Sequence, residues 1–290
     1  MLIKEDISWQ SKDGLNLYAQ SIGSAEAQLT VLCMHGLTRN HKDFNPMIQA
    51  LGDRYRYIAV DVRGRGRSER DPQPKNYSPT VYAADMVTLL DHLQLQSVVL
   101  IGTSMGGLMS MLLSRMIPNR LRGIVLNDIG PVIDQSGLER IATYVGEVRP
   151  FADWEAAAEN IARIQAASFP GYGSEQWMAF ARRTCHEIDS GEVLADYDPQ
   201  IAKSLGNVKP GLLTRLAMWR LFKSMYKRPL LIIRGETSDI LSQKTLHKMI
   251  RRHPNASTVT VPEVGHAPLL DEPEAVAAIS GFLKGLEADA

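Results

Sequence analysis

Cysteine is scarce in this chain: Cys33 and Cys185 are the only two among 290 residues. Two such distant thiols supply neither a disulfide framework nor a cysteine-based metal cluster. Cys33 lies inside the apolar run LTVLCMHG, where a buried, inert thiol is expected. Net charge is lacking too, with 32 basic side chains against 32 acidic ones. That balance gives no electrostatic pull toward nucleic acid or an anionic membrane, and points instead to a small, neutral partner. No apolar run approaches the length of a membrane span. The N-terminal MLIKEDISWQSKDG lacks the apolar stretch of a signal peptide, so a reducing cytoplasm is the expected compartment. Internal repeats and low-complexity tracts are absent as well.

What is present is the alternation of an α/β protein. LTVLCMHG (29–36), YRYIAVDVRG (55–64), SVVLIGTS (97–104) and RGIVLNDIG (122–130) are short apolar runs of the kind that fill a parallel sheet, and LNLYAQSI (15–22) alternates like a half-exposed strand. Between them, 44–51, 78–93 and 107–116 carry apolar residues at helical spacing. This order predicts a parallel sheet with helices on both faces. From about Pro131 to Arg228 the pattern turns helical, with stretches at 151–169, 174–185 and 211–226 and no convincing strand. RPLLIIRGE (228–236) resumes the strand pattern, a helix follows near 243–252, ASTVTVPEVG (256–265) gives a last strand, and 273–288 a closing helix. The expected organisation is a core domain of 1–130 and 229–290, interrupted by an all-helical insertion over 131–228 that is far longer than an ordinary α/β connection.

Gly102-Thr103-Ser104-Met105-Gly106 fits G-x-S-x-G, and here the motif has its required setting, a buried strand before it and a helical run after it. The plainer reading is a glycine-rich turn with an incidental serine. A phosphate loop fits less well, because no lysine follows the glycines. A serine hydroxyl is a poor nucleophile at neutral pH and needs a base, which in turn needs an orienting acid. Of seven histidines, His266 in VPEVGHAPLLDEP follows the last strand, where a loop returns to the rim that carries Ser104. His92, His247 and His253 fall in or beside helices, and His41 and His186 have no acid or serine in register. For the acid, Asp239 in LLIIRGETSDIL and Asp128 in IVLNDIGP both follow buried strands, and position alone does not separate them. The short glycine-containing loop favours Asp239, and the order Ser104, Asp239, His266 matches an established triad arrangement. The motif also assigns the N–H of Met105 as one donor to a developing oxyanion.

Five segments in order, HGLTRN (35–40), DVRGRGRS (61–68), GTSMGG (102–107), RGETSDIL (234–241) and GHAPLLDEP (265–273), make the sequence resemble the α/β-hydrolase superfamily. The resemblance implies an eight-stranded, mostly parallel sheet with a helical lid after the sixth strand. It also implies a second oxyanion donor from HGLTRN, taken as Leu37, with Gly36 leaving space for the oxyanion and His35 holding the loop. The arginines of DVRGRGRS are expected to make structural hydrogen bonds. Most lid aromatics should form its core, with Trp154, Trp177 and Trp219 named as those facing the substrate. Within the superfamily, Ser104 argues against the haloalkane dehalogenases and epoxide hydrolases, which carry aspartate there. Similar carbon–carbon bond hydrolases tend to carry asparagine before the serine and tryptophan after the histidine, where this chain has Thr103 and Ala267. Lipases fit less well without a signal peptide or disulfide. The resulting expectation is a serine esterase, with lactones as equally admissible substrates, that needs no metal or organic cofactor. Carbon–carbon hydrolysis and a ligand-sensing receptor stand as alternatives.

Overall fold

The structure, a computed structural model, describes residues 2–205 and 211–288. The expected strands form one eight-stranded sheet with a spatial order that sets the site at its middle. Strands β1 (Lys4–Gln10), β2 (Asn16–Ile22) and β3 (Thr30–Met34) are followed by helix α1 (Asn45–Leu51), β4 (Arg56–Asp61), α2 (Pro79–His92), β5 (Val98–Thr103), α3 (Met105–Met116) and β6 (Leu121–Asn127). After a long insertion come β9 (Leu230–Gly235), α9 (Gln243–Arg252), β10 (Ala256–Val261) and α10 (Pro273–Ala288). The sheet runs β1-β2-β4-β3-β5-β6-β9-β10, with β1–β2 and β2–β4 antiparallel and every other pairing parallel.

The near-continuous apolar runs follow from burial on both faces. In β5, Val98 and Leu100 join one core cluster and Val99 and Ile101 the other; in β9, Leu230 and Ile232 face one way and Leu231 and Ile233 the other. Alternate side chains of a strand point to opposite faces, so both sets must be apolar when helices cover both. Helices α2, α3 and α9 supply Met86, Met109 and Leu246 to the first cluster, and α1 and α10 supply Met47 and Ile279 to the second. Cys33 is fully buried in β3, and burial pushes its thiol far above the usual range.

The insertion holds α4 (Gln135–Ala142), α5 (Trp154–Gln165), α6 (Ser174–Thr184), α7 (Ala202–Leu205) and α8 (Leu212–Ser224); its residues 206–210 lie outside the described residues. It is not wholly helical. Strands β7 (Cys185–Glu187) and β8 (Val193–Ala195) form an antiparallel hairpin, which corrects the expectation that 131–228 carries no strand. Three-residue strands leave no periodicity to read, and the Asp189-Ser190-Gly191 turn between them was the available signal. The insertion has its own small core around Phe169, Trp177, Phe180 and Val193, which Leu269 from the main domain enters.

Candidate active site

Ser104 stands between β5 and α3 with φ 50° and ψ −109°. A residue with a side chain holds that backbone conformation only where its surroundings enforce it. The enforcement is steric. A Cβ on Gly106 would strike the Met34 carbonyl at the end of β3, and one on Gly102 would strike the backbone of Gly106 and Gly107. The two glycines therefore let α3 begin directly against β3 and β5, and the serine between them is lifted onto the rim. Its N–H donates to the Asn127 carbonyl of β6 at 2.9 Å.

The imidazole of His266 reaches that serine. Its Nε2 is 2.9 Å from Ser104 Oγ, and its Nδ1 is 2.7 Å from Asp128 Oδ2. Asp128 directly follows β6, has φ 55°, and is completely buried. A carboxylate there needs compensating donors, and besides the ring it accepts the Ser238 hydroxyl at 2.6 Å and the Gly235 N–H at 3.0 Å. Because an ionised carboxylate only accepts, its contact places the ring proton on Nδ1 and leaves Nε2 free to accept from Ser104. Asn127 braces the same loop, donating to the Pro268 carbonyl at 2.7 Å and to Thr103 Oγ1 at 3.1 Å.

Asp239 is not the residue at His266, which corrects the sequence expectation. Its carboxylate takes two hydrogen bonds from Arg140 of α4, Nε at 2.6 Å and Nη2 at 2.9 Å. Burial would raise the Asp239 pKa, but the Arg140 bonds and charge, with a smaller contribution from the positive field of His266, outweigh it and hold the carboxyl below its ordinary value. The physical reason is the course of the loop after β9. Ser238 turns inward onto Asp128, and Asp239, one residue on, is directed out toward the inserted segment. Asp128 and Asn127 were visible as two polar residues closing an apolar strand, a pairing that core packing does not require.

On the other side of Ser104, HGLTRN is held from beneath. His35 is fully buried, its Nε2 accepting the Val62 N–H at 3.1 Å and its Nδ1 facing the Gly36 carbonyl at 2.7 Å. Arg65, also buried, donates through Nε to the Leu37 carbonyl at 2.9 Å and through Nη1 to the Arg63 carbonyl at 2.8 Å. Arg63 meets Asp13, Asp71 and Asp85, so these arginines do serve structure. A Cβ on Gly36 would lie 3.9 Å from the Ser104 Cβ, inside the space beside the hydroxyl. Leu37 and Met105 both border a cavity that reaches Ser104, and Met105, as the first residue of α3, has an N–H without an intrahelical acceptor.

The buried His35 makes the fold acid-sensitive. Burial, only partly offset by the Gly36 carbonyl, depresses its pKa to about 4 from 6.5. Between those values the unfolded chain binds more protons than the folded one. Stability is therefore full above about pH 6.5 and falls as pH drops toward 4, by about 3 kcal/mol for this one group. Urea unfolding at a series of pH values should show the wild-type midpoint falling more steeply through this window than that of His35→Gln; equal slopes would count against it.

Two cavities meet at Ser104. The smaller, about 60 Å³, is bordered by Gly36, Arg39, Asp43, Tyr144, Gln165 and His266. The larger, about 810 Å³, is mainly apolar, with Leu108, Ile129, Ile133, Leu138 and Ile141 along it. None of the three tryptophans expected at the substrate borders either cavity. Trp177 packs inside the core of the insertion against Phe169 and Phe180. Trp154 donates to Glu187 and lies under Arg182, and Trp219 packs on Phe222 beneath Lys248 and Arg252. Their large apolar rings are used to hold the insertion together and to dock its last helix, a choice that helical spacing cannot distinguish from facing a cleft. Among the described residues, no group of three or more His, Cys, Asp or Glu side chains is arranged to hold a metal, and no helix is long and apolar enough to cross a membrane.

Comparison with known proteins agrees with this frame. The alpha/beta hydrolase family profile matches residues 31–279. The 3-hydroxybutyrate-oligomer hydrolase of Cupriavidus necator is 37% identical over 262 residues, 88% of each chain. The 2-(acetamidomethylene)succinate hydrolase of Mesorhizobium japonicum is 28% identical over 81% of each. Among solved structures, an alpha/beta hydrolase from Novosphingobium aromaticivorans superposes with a TM-score of 0.91 at 40% identity, covering 98% of this chain and 99% of that one. With the profile spanning the sheet from β3 to α10, the chain belongs to the α/β-hydrolase family.

Proposed function

We propose that this hydrolase cleaves carboxylic esters through an acyl-enzyme on Ser104, with His266 as base and Asp128, in place of Asp239, as its orienting acid. The observation that carries the reading is the continuous path from Ser104 Oγ through both ring nitrogens to Asp128, at 2.9 and 2.7 Å. In this reading Nε2 of His266 takes the hydroxyl proton as Oγ attacks the ester carbonyl. The N–H groups of Leu37 and Met105 receive the developing oxyanion, a contribution worth several kcal/mol in such sites. The imidazolium, held by Asp128, returns its proton to the departing alcohol. Water then enters, gives its proton to the same nitrogen and releases the acid.

The two cavities suggest how a substrate lies. The apolar one suits a hydrocarbon chain, and the polar one brings Arg39, half committed to Asp43 through Nε at 3.0 Å and Nη2 at 2.6 Å, near the reacting carbonyl. The insertion over 131–228 acts as the lid that shapes both. Short hydroxyacid esters fit this pairing, and the 3-hydroxybutyrate-oligomer hydrolase relative favours the same class.

A substrate panel tests the reading. Turnover of p-nitrophenyl acetate and of a 3-hydroxybutyrate dimer is expected, with Arg39→Gln raising KM for the dimer about tenfold, the loss of one charge-assisted hydrogen bond. Its KM for the dimer's methyl ester should change little. Absence of turnover on every ester and lactone, alongside turnover of a carbon–carbon diketone substrate, would overturn it.

A further inference from the structure

The balanced charge of the whole chain conceals a segregated one. From Pro199 to Gly235 no acidic residue occurs, and between Glu236 and Glu263 the only one is Asp239, already paired with Arg140. Helices α8 and α9 lie within this span and touch through Trp219, over which Lys248 and Arg252 are folded. On α8, Phe222 is buried in the core and Met218 packs beside it. The opposite side carries Leu213, Leu216, Arg220 and Lys223, three or four residues apart and so in one stripe. Leu212, Leu213 and Leu216 are 74%, 82% and 54% exposed, three of the few large apolar side chains so placed. Arg215, Lys244 and Arg251 add exposed positive charge on either side.

Exposed leucines cost free energy in water, and a helix that joins them to cations with no ion pair among the described residues is suited to the headgroup region of an anionic bilayer. There the leucines enter the acyl boundary and the cations meet the negative surface potential of the lipid headgroups. A second copy of the chain fits this face poorly, because a two-fold contact would set the basic stripe against itself. The location also has a use. Thr214, on the first turn of α8, and Lys203 on α7 border the larger cavity at Ser104. We propose that the α8–α9 face docks on an anionic lipid surface and sets the mouth of the apolar cavity against it, so that poorly soluble esters enter from the interface. The docking stands on surface chemistry alone; only its use for substrate entry rests on the ester-hydrolase reading.

Sedimentation with phosphatidylglycerol-containing vesicles, and with phosphatidylcholine vesicles as control, tests it. Wild-type protein should bind the anionic vesicles at low salt, release at high salt, and ignore the neutral ones. The pairs Arg220→Glu/Lys223→Glu and Leu213→Asp/Leu216→Asp should each lower partitioning about tenfold or more, while turnover of p-nitrophenyl acetate in buffer, which reports folding, stays unchanged. Ser104→Ala should bind vesicles as wild type does, which separates docking from catalysis. Absence of vesicle binding overturns the proposal, as does undiminished binding by both pairs. Binding of single-stranded RNA without vesicles, or a leucine-dependent dimer without vesicles, overturns it equally.

Discussion

Asp128→Asn is expected to lower kcat on p-nitrophenyl acetate about 10⁴-fold with KM little changed. Asparagine keeps the size of the side chain and an oxygen for the Gly235 N–H, and the Ser238 hydroxyl can rotate to accept from the amide nitrogen that replaces Oδ2, so the fold should survive. What it removes is an anion facing Nδ1. An amide nitrogen placed there would favour the tautomer with its proton on Nε2, which can no longer take one from Ser104. Asp239→Asn should cost less than about tenfold, because its partner Arg140 and it are both partly solvated, and such pairs contribute at most about 1 kcal/mol. Steady-state kinetics of the two variants, with circular dichroism as a control, decide between the carboxylates. The opposite ranking would return the role to Asp239.

The second large effect concerns interdependence. Ser104→Ala and His266→Ala are each expected to lower kcat by about 10⁵ to 10⁶, since each removes the same step. The double variant should then be no slower than either single one within about threefold, because residues that act as a unit are not additive. Losses that multiply would mean that the two side chains serve separate steps. The residual rate of all three would report what the proposed Leu37 and Met105 N–H donors do without an activated nucleophile.

These expectations rest on features that were unequally legible in the sequence. The central strands announced themselves because burial on both faces forces unbroken apolar runs such as that of β5. The edge strand β1, KEDISWQ, is mostly exposed and charged, and sequence reading passed over it; it is held by pairing with β2 along its whole length. Ser104 and His266 could be placed because the motif dictates a local backbone and the last loop has one rim to return to. The acid could not, since an aspartate follows two strands on that rim, Asp128 directly after β6 and Asp239 in the loop after β9. The choice turned on one residue: Ser238 takes the inward position after β9 and hydrogen-bonds Asp128, and Asp239 then meets Arg140. Nothing in the spacing of GETSDI records that direction. The tryptophans were assigned to the substrate for a related reason. A helix face that packs inside a small inserted core looks, in sequence, like one that packs around a ligand.

The most direct test of the account is to catch the acyl-enzyme. Acid-quenching the protein during turnover of p-nitrophenyl acetate and mapping its peptides by mass spectrometry should find the acetyl group on Ser104 of the wild type, and within the same time neither in Ser104→Ala nor in His266→Gln, which lacks the base that drives the attack. Turnover with no adduct on that peptide, or an acetyl group on another side chain that decays at the turnover rate, would contradict it.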